Sequence, residues 1–414
     1  MTTKPLRVAV LGAGGRGTGF GRLLAEQPMQ AQVVAVAEPR DAYRDAFAAA
    51  HKLPASGVFR TWQEFLAGPP AYDAAVIATM DRDHAGPAVA CLQQGKHLLL
   101  EKPMAATLDE CRAIEAAQRK SGALVAVCHS MRYQKGHATF KEILASGRIG
   151  EIVSLDQLEQ VAFWHQAHSF VRGNWGHEGR SAFMLLAKSC HDIDYIAHLV
   201  DQPCRRVSSF GALSYFNLAH APAGSTARCT EGCAVESTCP YSAIRRYVDA
   251  EHLDGWPACT VSPVHTREAH LEAIRTGPYG RCVYRCDNDV VDHQVVAMEF
   301  EGDITATFTM TAFTQHGGRL IRVHGTEGEA RCEGGRIVVR SFRTNDVETI
   351  EIGPEAGGHG GGDTRVVRDW LAAVHAGNPA LIRTSAQESL RTHTIVFAAE
   401  RSRRERRTVD LGAM

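Results

Sequence analysis

The sequence predicts an α/β chain built around an N-terminal doubly wound parallel sheet, with a later part rich in antiparallel strands. Three observations predict it. From Leu6 to Cys128, apolar strand-like runs alternate with helix-like segments, the pattern of a parallel sheet covered by helices on both faces. The first run, Val8–Leu11, ends in a glycine-rich turn that opens a helical pattern, Phe20 to Leu24. Beyond residue 290 the apolar period becomes two, as in Val295–Phe300 and Ile304–Thr309 around the turn Glu301–Asp303.

The turn reads Gly12 Ala13 Gly14 Gly15 Arg16 Gly17, a G-x-G-x-x-G spacing between strand and helix. About twenty residues on, Glu38 closes the next apolar run, Val33–Ala37, which completes a dinucleotide-binding fingerprint. Each part has a physical task. Gly12 allows the tight turn, Gly14 leaves room for a pyrophosphate, Gly17 lets helix and strand approach, and the helix N-terminus offers free N–H groups. A carboxylate at Glu38 accepts bonds from both adenosine ribose hydroxyls and repels a 2′-phosphate, so NAD is favoured over NADP. Arg40 opposes that preference: its guanidinium can lie over the adenine or pair with a 2′-phosphate.

Further strands are predicted at Ala31–Ala37, Ala74–Ala78, His97–Leu100 and Ala123–Cys128, with helices between them. We place the boundary there, giving a dinucleotide-binding domain over 1–130 and a substrate and oligomerisation domain over 131–414. A linking helix, Lys135 to Ser146, leads to a new strand at Ile152–Leu155. The later strands read as an antiparallel meander, extended by Arg319–His324 and Arg336–Arg340 with the turn Gly325–Gly328 between them. After the glycine cluster 357–362, Asp363 is placed to cap a helix from Thr364 to Ala376, ahead of Gly377.

Across 414 residues, 44% are hydrophobic and 22% charged, an ordinary globular composition with room for a large core. Lys and Arg number 45 against 46 Asp and Glu, so no overall charge draws the chain to nucleic acid or an anionic membrane. A small neutral partner is expected. Met1–Pro5 runs into the first strand without a signal-like apolar stretch, and no apolar run reaches membrane-spanning length, so a cytoplasmic location is expected. Twelve cysteines are many for that compartment.

Candidate site residues sit at strand ends. Glu101 Lys102 Pro103 follows the strand His97–Leu100, on the edge where open parallel sheets bind ligands, so Lys102 is a candidate to hold a substrate hydroxyl and the cofactor ribose. Thr79, His84 and Glu101 are assigned with the glycine loop, Glu38, Arg40 and Lys102 as cofactor-binding. Met184 to Ile196 reads as one helix carrying Lys188, His191 and Asp194 on one face, a lysine and a carboxylate flanking an imidazole suited to proton transfer. A hydrogen-bonded core histidine is the alternative. Arg172 and Asn174 offer donors for sugar hydroxyls and Trp175 an apolar plate, although a plain packed loop fits the same residues. His165, His168 and His359 are open to either role.

A cysteine-rich insertion spans about 217–286. Cys229, Cys233 and Cys239, with Cys282 or Cys286 as a fourth ligand, fit a closed structural zinc that pins a segment lacking its own core; free buried thiols are the alternative. Cys91, Cys111, Cys128, Cys190, Cys204 and Cys332 read as core.

The glycine motif, Glu101 Lys102 Pro103, the segment from Arg132 Tyr133 to Gly150 Glu151 Ile152, and the His191 helix resemble the Gfo/Idh/MocA oxidoreductases. The resemblance implies a Rossmann domain joined to an α/β domain with an open, mostly antiparallel sheet. It also implies oxidation or reduction of a secondary alcohol of a sugar or cyclitol with NAD or NADP, with Lys102 and His191 as catalytic lysine and histidine, and a homo-oligomer formed through the C-terminal sheet. One departure stands out: the family pattern has an aspartate four residues before the histidine, where this chain has Ala187 and, next to it, Lys188. Three functions follow as expectations. They are a dehydrogenase acting on a ring hydroxyl of a sugar, glycoside or cyclitol, a redox glycosidase that oxidises, eliminates, hydrates and re-reduces, and a dinucleotide and sugar sensor without turnover.

Overall fold

Strands that are almost wholly apolar must be covered on both faces, and the first six strands, polar only at Arg7, Gln32 and His97, follow this rule. In the computed structural model, which describes residues 4–353 and 357–413, they are β1 (Leu6–Leu11), β2 (Ala31–Ala37), β3 (Val58–Phe59), β4 (Ala74–Ile77), β5 (His97–Leu100) and β6 (Val125–Val127). They pair in parallel in the order β3-β2-β1-β4-β5-β6. Val8–Leu11, Ala74–Ile77 and Leu98–Leu100 have no exposed surface. The strand order reverses at β1, so a crevice opens beyond the carboxyl ends of β1 and β4. Helix Leu108–Ser121 is delimited by a Thr107/Glu110 capping box and by Gly122 in the left-handed region at φ +69°.

The second sheet has nine strands: β7 (Ile152–Gln160), β8 (Cys204–Ala212), β9 (His293–Phe300), β10 (Thr305–Thr311), β11 (Gly318–Gly325), β12 (Gly328–Glu333), β13 (Arg336–Ser341), β14 (Val347–Glu351) and β15 (Val409–Asp410). Their order is β14-β13-β12-β11-β7-β10-β9-β8-β15. The β9–β10 hairpin forms where the period-two pattern predicts it. A simple meander does not follow: β7 lies between β10 and β11, parallel to β10 and antiparallel to β11. The turn Gly325–Gly328 leads into β12 rather than bridging β11 and β13 directly. Glu329–Glu333 alternates charged residues with Ala330 and Cys332, too small and polar a pattern to announce a strand.

Two C-terminal helices tie the halves together. In Gly362–Ala376, Val366, Val367, Trp370 and Leu371 pack with Phe20, Cys128 and Tyr133 beside the first sheet. In Ala386–Glu405, Ala386 joins the core of the first sheet while Ile395, Val396, Ala398 and Ala399 join that of the second. Asp363 does not cap the first of these helices; the capping position is Gly361, and the Asp363 carboxylate is taken by Arg16.

Met184 to Ile196 is not one helix. It breaks at Lys188 and Ser189 into Met184–Ala187 and Cys190–Val200. The Lys188 ammonium is drawn to Glu159 on β7 at 2.6 Å, so the shared face expected for Lys188, His191 and Asp194 is lost. The cysteine-rich insertion, in turn, has apolar packing of its own. Ala243, Tyr247, Val248 and Ile274 form one small cluster, and Tyr241, Cys282, Val283 and Tyr284 join Ala167 and Val171 in another. Among the described residues no helix is long and apolar enough to cross a membrane.

Candidate active site

At the end of β1 the backbone makes its tight turn at Gly12, with φ +92°, and a Cβ there would stand 2.3 Å from the Ala78 carbonyl oxygen. A Cβ on Gly17 would stand 1.8 Å from the Gly12 oxygen, so only glycine lets helix Gly15–Ala25 start this close to the strand. Gly15, in contrast, faces open space. The helix begins without a side-chain cap and without an acidic residue in its first turn, which leaves its N–H groups and dipole for an anion. This cradle fits the pyrophosphate of a dinucleotide.

Glu38, at the end of β2, is buried and accepts the Ala13 N–H at 2.9 Å. Burial opposes its ionisation, yet hydrogen bonds from Arg40 and Ala13 hold its carboxyl below the ordinary range. Arg40 is neither free nor aimed at an empty phosphate position. Its Nε and Nη2 donate to the two Glu38 oxygens at 2.6 and 3.0 Å, and its guanidinium lies 4.0 Å from the Tyr43 ring centre.

The loops after β4 and β5 form the opposite rim. Thr79 donates to the Asp83 carbonyl, and the buried His84 places its two ring nitrogens 2.7 Å from the Pro103 carbonyl and 3.2 Å from that of Thr79. His84 therefore sits between the two loops, its one N–H available to one of these carbonyls. Arg16 is also used internally: it donates to Glu101 at 2.5 Å and clasps Asp363 at 2.6 and 2.9 Å, joining the glycine loop to the Glu-Lys-Pro turn and to helix Gly362–Ala376. Glu101 accepts the Lys102 N–H, and the Lys102 ammonium donates to the Ala187 carbonyl at 2.7 Å.

That bond brings Lys102 to the segment that carries His191. His191 is buried and its Nδ1 has no hydrogen-bond partner among the described residues. Burial pushes the imidazole's proton affinity well below its ordinary value; the charges of Lys102 and Arg319, and the crowding of His129 and His359, where a second proton nearby would repel, add to the effect. Lys188 and Asp194 do not flank it. Asp194 forms a buried two-pronged ion pair with Arg132, both bonds 2.7 Å, while Lys188 and Arg319 share Glu159. Arg319 also holds Asp192 at 2.6 Å.

Of the proposed substrate residues, Arg172 has its guanidinium taken up by the protein. It is buried and donates to the Arg281 and Tyr241 carbonyls and to the Cys229 sulfur. Asn174 is exposed. Trp175 is half-buried, with its indole N–H held by Asp81 at 3.1 Å. His165 and His359 had no assigned role in the sequence, and both come to the site. Burial and the charges of Lys188, His168 and Lys102 push His165 down to about 2, and its ring meets Trp256 of the insertion at 4.9 Å. His359 lies 6.0 Å from His191 between ring centres. His168 instead stacks on Tyr279 inside the insertion and bonds Tyr247.

Cys229, Cys233, Cys239 and Cys282 line one small cavity, but among the described residues no three His, Cys, Asp or Glu side chains are placed to hold a metal ion. The expectation of a structural zinc is not supported. Burial pushes the thiols of Cys239, Cys282 and Cys286 up, Cys229 accepts the Ala243 N–H, and Cys286 donates to the Cys282 carbonyl. The two apolar clusters do the pinning for which a metal was invoked.

Comparison with known proteins agrees with this architecture. The model of the oxidoreductase family, NAD-binding Rossmann fold, matches residues 6–129, and that of the family's C-terminal alpha/beta domain matches residues 141–411. The Bacillus subtilis protein YteT is 24% identical over 319 residues, 72% of this chain and 71% of its own length. Inositol 2-dehydrogenase 2 of Saccharopolyspora erythraea is 31% identical over 199 residues, 48% of this chain and 54% of its own, so that match spans about half of the relative. Levoglucosan dehydrogenase, solved with NADH and L-sorbose, shares the fold at a TM-score of 0.74 and 17% identity, with 99% of both chains covered. A Rossmann cradle, a Glu-Lys-Pro turn and an open C-terminal sheet in one chain, matched by both family models, identify this protein as a member of the Gfo/Idh/MocA family of NAD(P)-dependent oxidoreductases.

Proposed function

We propose that the protein is an NAD-dependent dehydrogenase that transfers hydride to or from a ring hydroxyl carbon of a sugar, glycoside or cyclitol. The reading rests above all on the bond from Lys102 to the Ala187 carbonyl, which brings the lysine to the chain four residues ahead of His191, close enough for its charge to act on that imidazole, at the carboxyl edge of the first sheet. A nicotinamide dinucleotide bound there supplies the hydride acceptor or donor. Lys102 orients the substrate hydroxyl and stabilises negative charge on its oxygen. His191, neutral because of its burial and cationic neighbours, takes the hydroxyl proton as the C–H bond breaks. Glu38, already ionised and paired with Arg40, favours the free ribose of NAD over the 2′-phosphate of NADP.

A carbohydrate-like substrate is supported by the aromatic wall that the insertion adds. Trp164, His165 and Trp256 stand together beside Lys102 and Lys188, with Trp256 half exposed. Such ring faces suit the apolar face of a sugar. The relatives named above act, by their names, on inositol and levoglucosan. A homo-oligomer through the second sheet is supported by Phe210 and Val295, paired across β8 and β9 yet exposed. A cytoplasmic setting is supported by twelve cysteines, all unpaired.

The test is a panel of sugars, glycosides and cyclitols offered with NAD, followed by NADH formation. Net NADH from a polyol, lost in His191→Ala, supports the dehydrogenase. Aglycone release without net NADH would assign the redox glycosidase, and binding without either signal would assign a sensor.

A further inference from the structure

We propose that His359 carries the substrate proton between His191 and solvent, an inference that rests on the hydride-transfer reading above. Each turnover in the oxidising direction leaves one proton on His191, which is buried and must lose it before the next. Two imidazoles lie next to it. His129 stands edge-on at 5.8 Å, has no exposed surface, and among the described residues has a hydrogen-bond partner at neither ring nitrogen. Beyond it, at 5.4 Å, His393 is engaged at both nitrogens by the Met104 N–H and the Ser389 carbonyl. That direction is closed to water.

His359 is the open direction. Its ring centre is 6.0 Å from that of His191, and its side chain keeps 45% of its surface exposed. Ring centres this far apart leave room for a proton to pass between the two imidazoles through one bridging water. The local chemistry also fixes which nitrogen accepts. Nδ1 lies 3.0 Å from Asp363, whose carboxylate Arg16 clasps with two bonds. Burial opposes charge on Asp363, but the hydrogen bonds from Arg16 and His359 outweigh it and hold the group ionised. An ionised carboxylate only accepts, so Nδ1 carries hydrogen and Nε2 presents the lone pair. The Arg16 Nη1 also lies 3.3 Å from Nδ1, but it donates to Asp363 at 2.6 Å. His359 is held at φ +49°, a left-handed conformation for a residue with a side chain, in a run of glycines. Such a placement is retained where position matters.

The step balances. The substrate O–H bond breaks and its proton goes to His191, while the C–H electron pair leaves as hydride to the nicotinamide. His191 then passes the proton to His359 Nε2, which releases it to water. Reduction runs the path in reverse. The charged and titratable groups facing the pair are Lys102, His129 and Arg319 at His191, and Arg16 and Asp363 at His359.

The experiment compares NADH formation by the wild type, His359→Ala and His359→Gln on the best substrate of the panel, with and without added imidazole and in H2O and D2O. An inactive wild type would refute the hydride-transfer reading and the relay with it. With an active wild type, both variants should lose about 10- to 100-fold in turnover at unchanged NAD affinity, show a larger solvent isotope effect, and recover in His359→Ala on adding imidazole. Wild-type turnover in His359→Gln would overturn the relay. So would a loss that imidazole does not restore, or one accompanied by weaker NAD binding.

Discussion

The Lys102 ammonium donates to the backbone carbonyl of Ala187 at 2.7 Å, at the position where the family pattern has an aspartate. A carbonyl positions the ammonium without neutralising it, so the charge remains to depress His191. Lys102→Ala should therefore cost about 10²–10⁴ in turnover. It should also let His191 gain a proton at higher pH, moving the acid limb of kcat/KM upward. Lys102→Arg should not restore the rate, because a planar fork cannot replace a point donor at this site. Steady-state rates across pH decide both points.

Cofactor preference should rest on Glu38. Binding of NADP requires its 2′-phosphate to displace Arg40 from a carboxylate that also holds the Ala13 N–H. We expect tighter binding of NAD, and Glu38→Ala should weaken NAD by about 1.5–3 kcal/mol, the worth of hydrogen bonds to a charged group, while freeing Arg40 for NADP. Calorimetric titration of both dinucleotides checks it; equal affinities in the wild type would contradict the assignment.

Asp194 has a stability role in place of the tuning role its spacing suggested. It accepts two bonds from buried Arg132 and one from Thr392 at 3.0 Å. Asp194→Ala strands a buried guanidinium and should cost about 3–5 kcal/mol in urea unfolding. Soluble protein with an unshifted midpoint would show that water or another group compensates Arg132.

Acid should destabilise the fold in two stages. His168 and His393 are pushed down to about 3 by burial first, with added repulsion from Arg172 and Arg246 at His168 and from His129 at His393. Both stay neutral in the fold while the unfolded chain takes up protons from about pH 6.5 downward. Each then removes about 1.4 kcal/mol of stability per pH step between about 6.5 and 3. Asp194 and Asp363, held below the ordinary carboxylate range, add their loss only below about pH 4. Thermal midpoints should already fall between about pH 6.5 and 5.5, above the ordinary carboxylate range; a flat profile there would contradict the neutral buried histidines.

What could be read from the sequence was local. The glycine loop, Glu38 and the Glu-Lys-Pro turn owe their placement to one strand and the turn after it, so spacing locates them. The Lys188–His191–Asp194 face was not legible, because three-residue spacing has meaning only in an unbroken helix and the break answers to Glu159 on a distant strand. His359 was illegible for the same reason. It reaches His191 only because helix Gly362–Ala376 returns to the first sheet and Arg16 anchors Asp363 there. The insertion was misread through its cysteines, since its scattered aromatic and aliphatic residues carry no period that announces a small core.

Hydride passing directly from the ring carbon to the nicotinamide beside Lys102 and His191 can be followed by its isotope. A substrate from the panel carrying deuterium at the reacting ring carbon is turned over with NAD in H2O. The account predicts one deuterium in the reduced nicotinamide, a primary isotope effect on kcat/KM, and loss of both product and label transfer in His191→Ala. Deuterium kept at that carbon in a product that has lost a ring substituent, with the cofactor returned oxidised and no labelled reduced nicotinamide accumulating, would contradict it.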